Sequence, residues 1–234
     1  MAIRPVFRVG KENNKENSVN VIECEFKWFS GFAKSQKQKS IYELHKSYLE
    51  KEGEEKKVLE ISSSSPDELG IKLSAFNLMI KDKNNEDMFS VESLFQSCKK
   101  FENGGPYKDI RNKNSRDAKK DERNKNSGDL ICFVHKGREW PLEPKTIFYD
   151  WIYMNALNQN VELKKEMVKY DAFTDIEFNP KKSINCQARS AALYVWLFRN
   201  NLIEKVMKSE EEYLKFFLPT TNIAKTYTQL EFDL

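Results

Sequence analysis

Residues 90–106, SVESLFQSCKKFENGGP, set a carboxylate, an amide and an amine at positions 92, 96 and 99. On a helix these positions fall at i, i+4 and i+7, so Glu92, Gln96 and Lys99 would share one stripe. That stripe borders an apolar one made by Val91, Leu94, Phe95 and Cys98. At such a border the reduced dielectric raises a carboxylate's pKa or depresses a lysine's, which suits proton transfer and nucleophilic attack. A solvated stripe of charge is the competing reading, and spacing alone favours it.

A second concentration of polar chemistry is FTDIEFNPKKSINCQAR, with Asp175, Glu177, Asn179, Asn185, Gln187 and Arg189 between two expected helices. Loops held by rigid elements are where sites tend to lie. Here too a plainer reading stands: Asp175 and Asn179 satisfy turn amides, and Ser183 or Asn185 caps the following helix. Aromatic residues such as Trp28, Phe29, Phe32, Trp140 and Tyr149 could stack on a base or fill the core. The window from Lys108 to Lys125 holds eight basic and four acidic side chains, a net +4 that could follow a phosphate backbone. Gly104 and Gly105 come after a helix rather than before one, so a C-cap is expected there. There is no P-loop and no GxGxxG.

The elements that must position these residues follow from the rest of the chain. Its 234 residues, 39% hydrophobic, can bury a core, and one domain over 1–234 is expected. The 39 basic and 36 acidic side chains leave +3, which permits a nucleic-acid partner without demanding one. Cys24, Cys98, Cys132 and Cys186 are scattered, and His45 and His135 belong to no ligand pattern, so neither a zinc site nor a disulfide framework is expected. No metal or cofactor is expected. Without a long apolar run or a signal-like start, the expected compartment is the cytoplasm, with no membrane partner.

Residues 1–25 read as a first strand and a polar loop or hairpin connection, with VIECEF as a strand. A helix is expected over Gln38 to Lys51, then a strand at KVLEISSS, a short helix or turn opened at Pro66 to Glu68, and an extended LGIKLSAFNLMIKD closed by a turn at KNNED. Ser90 is the expected N-cap of the helix carrying Glu92, ended by GGP. DLICFVHKG reads as a strand and turn, TIFYDWIYMNALNQN and VELKKEMVKY as helices, and FTDIEFNPKK as irregular. A helix with a small-residue stripe, Ala188, Ala191, Ala192 and Val195, precedes another through Phe217, and residues 200–234 end in a tail that could form a strand. The fold class is α+β, mainly helical, with a few short strands.

SVESLFQSCKKF resembles the PSVEHAYQAAKF signature of the NADAR (YbiA-like) family. LSAFN resembles that family's LSNFY, AKKDER its AK-x-x-x-R element, and QNVEL its QNPEL, in the same order along the chain. WFSGFAKSQKQKSI, ENGGPY and EWPLEPKTIFYDW resemble the branch encoded beside DarT-type DNA ADP-ribosyltransferase toxins, over roughly Phe26 to Arg199. Ser93 stands where His is usual, Ala75 where Asn is usual, and NPKKSINCQA replaces a D-x-x-WG-x-G segment.

The resemblance implies a NADAR-type domain acting as an antitoxin enzyme that removes ADP-ribose from guanine bases in DNA by hydrolysing the N-glycosidic bond. Its implied partners are ADP-ribosylated DNA, free ADP-ribose and the cognate ADP-ribosyltransferase toxin. The expected catalytic residues are Glu92, for the sugar cation or a water, Lys99, for a Schiff base, and Asp175. Around the substrate are expected Gln96, Asn77, Glu177 and Asn185, Trp28 and Trp140 for stacking, and Arg123 or Arg189 on the diphosphate. The competing functions are an N-glycosidase of phosphorylated early riboflavin intermediates and a non-catalytic antitoxin that binds the toxin or modified DNA.

Overall fold

A computed structural model describes residues 1–82, 87–181 and 183–218. Strand β1 (Ala2–Val9) pairs antiparallel with strand β2 (Val19–Phe26), Ala2 facing Phe26 and Val9 facing Val19, so the polar stretch between them is a hairpin connection. Helix α1 (Lys34–Glu52) begins four residues before the expected start and lays Ile41, Leu44 and Tyr48 against Val6, Cys24 and Phe26 of the hairpin. Strand β3 (Val58–Glu60) follows.

The Asp67 side chain accepts from Leu69 N and caps helix α2 (Glu68–Leu73). This corrects the expectation that LGIKLSAFNLMIKD is extended. Leu69 and Leu73, at i and i+4, turn one face of LGIKL to the core, and only β4 (Met79–Lys81) is a strand. Strand β5 (Met88–Ser90) pairs antiparallel with β4 and runs directly into helix α3 (Val91–Ser97), capped by Ser90, whose hydroxyl accepts from Ser93 N at 3.1 Å. Helix α3 is shorter than expected. Cys98 ends it and Lys99–Phe101 is strand β6, so GGP is not its cap. Gly104 instead bridges back to Phe101, and Gly105, at φ +81, turns where a Cβ would meet Lys99 O at 2.4 Å.

The basic window folds as a 3-10 turn over Lys108–Asn112 and the short helices α4 (Ser115–Lys119) and α5 (Arg123–Asn126). Strands β7 (Leu130–His135) and β8 (Arg138–Trp140) form a hairpin that joins β6 in the order β6-β7-β8. Helices α6 (Ile147–Gln159) and α7 (Val161–Met167) come next. Strand β9 (Ala172–Thr174), expected as irregular chain, inserts antiparallel to β1 and parallel to β3, completing the sheet β2-β1-β9-β3. Helix α8 (Gln187–Arg199) starts at Cys186 with no side-chain cap, so neither Ser183 nor Asn185 has that role. Helices α9 (Ile203–Val206) and α10 (Glu210–Phe217) close the described chain. The KNNED turn, except Asp87, and the strand considered for TNIAKTYTQLEFDL lie outside the described residues.

The four-stranded sheet sits between α1 and α8 because side chains alternate along its strands. Val6 joins the cluster under α1, whereas its neighbour Phe7 joins the one containing Ala188, Ala191 and Ala192 of α8. These alanines let α8 lie close to β1, β9 and α6. The larger core also holds Trp140, Phe148, Trp151 and Tyr213, with Trp140 packed 5.3 to 6.2 Å, centroid to centroid, from the other three rings. Helix α3 is buried along all seven residues, yet it divides two hollows of about 510 Å³ each, one lined by Glu92 and Gln96, the other by Leu94, Ser97 and Cys98. Among the described residues no helix is long and apolar enough to cross a membrane.

Candidate active site

Glu92 is placed by its own backbone. Its amide donates to Ala75 O at 2.9 Å, which docks the first turn of α3 on the turn after α2. The side chain is only 8% exposed and points into the first hollow, where its Oε1 accepts from Gln96 Nε2 at 2.9 Å and stands 4.0 Å from Lys119 Nζ. The i, i+4 spacing thus makes a real pair. Asn124 Nδ2 fixes Gln96 in turn by donating to its main-chain and side-chain oxygens at 3.2 and 3.3 Å. The buried carboxylate is held by donors rather than left as part of a solvated stripe.

Lys99 reaches the same hollow from β6, not from the helix, and its Nζ lies 5.1 Å from the centre of the Phe95 ring. Burial pushes its amine below the ordinary lysine range; the charge of Glu92 opposes this and that of Lys119 adds to it. The opposite wall comes from the segment after β9. Asp175 accepts from the amides of Glu177 and Phe178 at 3.0 and 3.2 Å through one oxygen, and from Gln187 Nε2 at 2.9 Å through the other. Burial, then repulsion from Glu60 and Glu177, pushes its pKa up strongly. Burial also works to raise Glu177, but hydrogen bonds from Lys37 at 2.7 Å and Ser64 at 2.9 Å outweigh it and leave that carboxyl below its usual range.

Behind Asp175 lies a buried polar chain. Glu60, 1% exposed, accepts from the Thr174 hydroxyl at 2.5 Å and from Ile176 N at 2.8 Å, and the Thr174 oxygen meets His45 Nε2 at 2.8 Å. Burial raises Glu60 and lowers His45 to about 4. Gln187 ties the walls together: its oxygen accepts from Ala75 N at 2.6 Å, while its nitrogen serves Ile61 O and Asp175.

Of the expected site residues, Glu92, Gln96, Lys99, Asp175, Glu177 and Asn185 line this one cleft. The other five lie outside its lining. Trp140 is fully buried in the aromatic core and has no face to offer a base. Arg123 is occupied by Asp109, at 2.7 and 3.1 Å, and by Asp121, at 2.9 and 3.0 Å, with its guanidinium over the Tyr107 ring. Arg189 is paired with Asp150 at 2.8 Å. Asn77 donates to Ile71 O and Ser74 Oγ, closing the end of α2. Trp28 lies past the end of β2, outside the lining of the cleft, edge-on to Phe26.

Lys119 and Lys145, which sequence spacing did not single out, also line the cleft, as do the aromatic residues Tyr149 and Phe76. Lys119 lies in the resembling AKKDER block but read as one of many cations. Tyr149 was open to either stacking or core; burial holds its phenol protonated, and it borders the cleft beside Phe95.

A protein-family model described as DarT1-associated NADAR antitoxin matches residues 2–227. The chain belongs to that family. The match extends past the Phe26 to Arg199 span of the resembling motifs at both ends. No curated protein matches the chain. Membership makes this chain an antitoxin associated with a DarT-type toxin, in a family with N-glycosidase-like activity. In this antitoxin the buried carboxylate, the recessed lysine and the raised aspartic acid all face one space. Such an arrangement can stabilise a sugar cation, attack an anomeric carbon and protonate a leaving group.

Proposed function

We propose that this antitoxin removes ADP-ribose from guanine in DNA by hydrolysing the N-glycosidic bond, in one domain spanning residues 1–234. The observation that carries the reading is the convergence of Glu92, Lys99 and Asp175 on one cleft from three different elements. Breaking a bond from an anomeric carbon to nitrogen develops positive charge on the sugar, and Glu92, held by Gln96, is the buried anion to face it. The bond's electron pair leaves with the base. Asp175, kept protonated by its setting, supplies the proton that base needs, and Glu92 takes a proton from the attacking water.

The lowered amine of Lys99 allows a covalent variant of the same reaction. Ring opening turns an amine-linked ribose into an imine, the Lys99 amine, once it has given up its proton, adds to that carbon and expels the base, and water hydrolyses the new imine. Lys119 and Lys145 are the cleft cations available to the diphosphate in place of the two arginines.

The test is release of free ADP-ribose from a toxin-modified oligonucleotide. Glu92→Gln, which keeps the shape and an acceptor for Gln96, should slow release at least ~100-fold with an unchanged melting temperature. Full release by the variant would remove Glu92 from the reaction. Protection of toxin-expressing cells by the inactive variant would favour a binding antitoxin over an enzyme.

A further inference from the structure

The rim of the cleft runs into a surface that the proposed reaction does not use. After β2 the chain reads KWFSGFAKSQKQK, residues 27–39, with four lysines, three aromatic rings and no acid. Apolar rings normally turn inward, but Phe32 is completely exposed and Trp28 is 37% exposed. The loop is nonetheless built. Phe29 N donates to the buried Ser40 hydroxyl at 2.9 Å, and Gly31, at φ +124, makes a turn that other residues rarely adopt.

Cations interleave with these rings. Lys27 and Lys39 stand 5.0 and 5.8 Å from the centre of the Phe29 ring, and the Arg4 guanidinium lies 5.5 Å from that of Trp28. Among the described residues Lys27, Lys34 and Lys39 have no carboxylate partner. Lys37 does have one: it bonds Glu177, a cleft-lining residue, and so joins the loop to the rim. The Lys108 to Lys125 window is richer in charge and sets Arg123 on Asp109 and Asp121, Lys113 on Asp121 and Lys119 near Glu92, but it contains no aromatic residue of its own. What sets residues 27–39 apart is that they hold no acid and interleave their lysines with exposed rings.

Exposed rings alternating with unpaired cations are what a single strand of nucleic acid requires: faces for bases and charge for phosphates. A duplex hides its base faces and could use only the charge. We propose that this segment, the loop after β2 and the start of α1, binds single-stranded DNA flanking the modified nucleotide, with bases stacking on Trp28 and Phe32 and phosphates meeting Lys27, Lys34 and Lys39. The inference rests on the reading of modified DNA as substrate and adds to it the strand state and the path of the strand.

The probe is an unmodified, fluorescein-labelled oligonucleotide of about 12 nucleotides, single-stranded or annealed, followed by anisotropy with the full-length protein. Phe32→Ala and Trp28→Ala should each weaken single-strand binding about 10-fold, as loss of one base stack does. The combined Lys27→Gln, Lys34→Gln, Lys39→Gln variant should flatten the slope of log affinity against log salt by about 2, three lost phosphate contacts at ~0.7 each. Equal binding of single strand and duplex, or unchanged binding in all three variants, overturns the proposal. So does loss of toxin binding with DNA binding intact, which would make the loop a protein dock. Release from a modified mononucleotide should be unaffected by these changes. Its absence in the unaltered protein would sink the hydrolase reading while leaving the binding result to stand.

Discussion

His45 offers a measurable handle on the polar chain behind the cleft. Its Nε2 meets Thr174 Oγ1 at 2.8 Å, and Thr174 donates to Glu60, so His45 must present Nε2–H in its neutral form. Burial lowers its pKa from 6.5 to about 4. A group depressed on folding contributes stability that is complete above its unfolded pKa and is lost as pH falls towards the folded value. The window is therefore from about pH 6.5 down to about pH 4. Linkage over that shift gives a loss of about 2 kcal/mol between neutral pH and about pH 4.5.

Glu60 and Asp175 titrate with the opposite sign, because their raised pKa values make the folded state hold protons more tightly. The contribution of His45 must therefore be read as a difference. His45→Gln can place an amide nitrogen where Nε2 stood and keep the bond to Thr174, but it cannot titrate. Urea unfolding of both proteins at neutral and acid pH should show the unaltered chain losing about 2 kcal/mol more than the variant. Parallel losses would refute the buried neutral imidazole. So would a proton resonance of His45 titrating near its ordinary value, and with only two histidines in the chain that resonance can be assigned by substitution.

Gln187→Ala removes the donor to Asp175 and Ile61 O and leaves Ala75 N without its acceptor, so it should cost about 1–3 kcal/mol in denaturant melts and lower kcat for ADP-ribose release; an unchanged pair of values would show that the walls hold without it. Trp140→Ala should destabilise by about 3–5 kcal/mol while each folded molecule keeps its KM, the reverse of what a base-stacking residue would do. Borohydride added during turnover should trap an ADP-ribose adduct on Lys99, with Lys99→Arg as the untrapped control, and absence of any added mass would leave only direct attack by water.

The α+β class, the Ser90 cap and the Glu92–Gln96 pair were legible because each rests on local chemistry: an oxygen one turn before an amide, or two side chains at i and i+4. Lys99 was expected in the cleft through the wrong element. Spacing of seven was read as helix, whereas Cys98 ends α3 and the strand β6 delivers the amine. Strand β9 was missed since three residues buried on both faces carry no alternation, and its place between β1 and β3 is set by partners far away in the chain. The positions of the arginines and Trp140 outside the cleft lining were not legible for a related reason. Residue type says what a guanidinium or indole can bind, but Asp121, Asp150 and the rings around Trp140 had already taken that capacity, and only the three-dimensional arrangement reveals those competitors.

Helix α3, with a hollow on either side, has a bearing on how this chain can vary. A helix at a surface has one face where substitutions pass unnoticed, giving a periodic rhythm of tolerance. Here no position is free: Glu92, Phe95 and Gln96 line the first hollow, Leu94 and Ser97 the second, and Val91 and Ser93 are buried in packing. A saturation library across residues 91–97 should therefore return an unbroken block of intolerance. The segment is fixed as a unit, and divergence in substrate preference must come from the loops that face it.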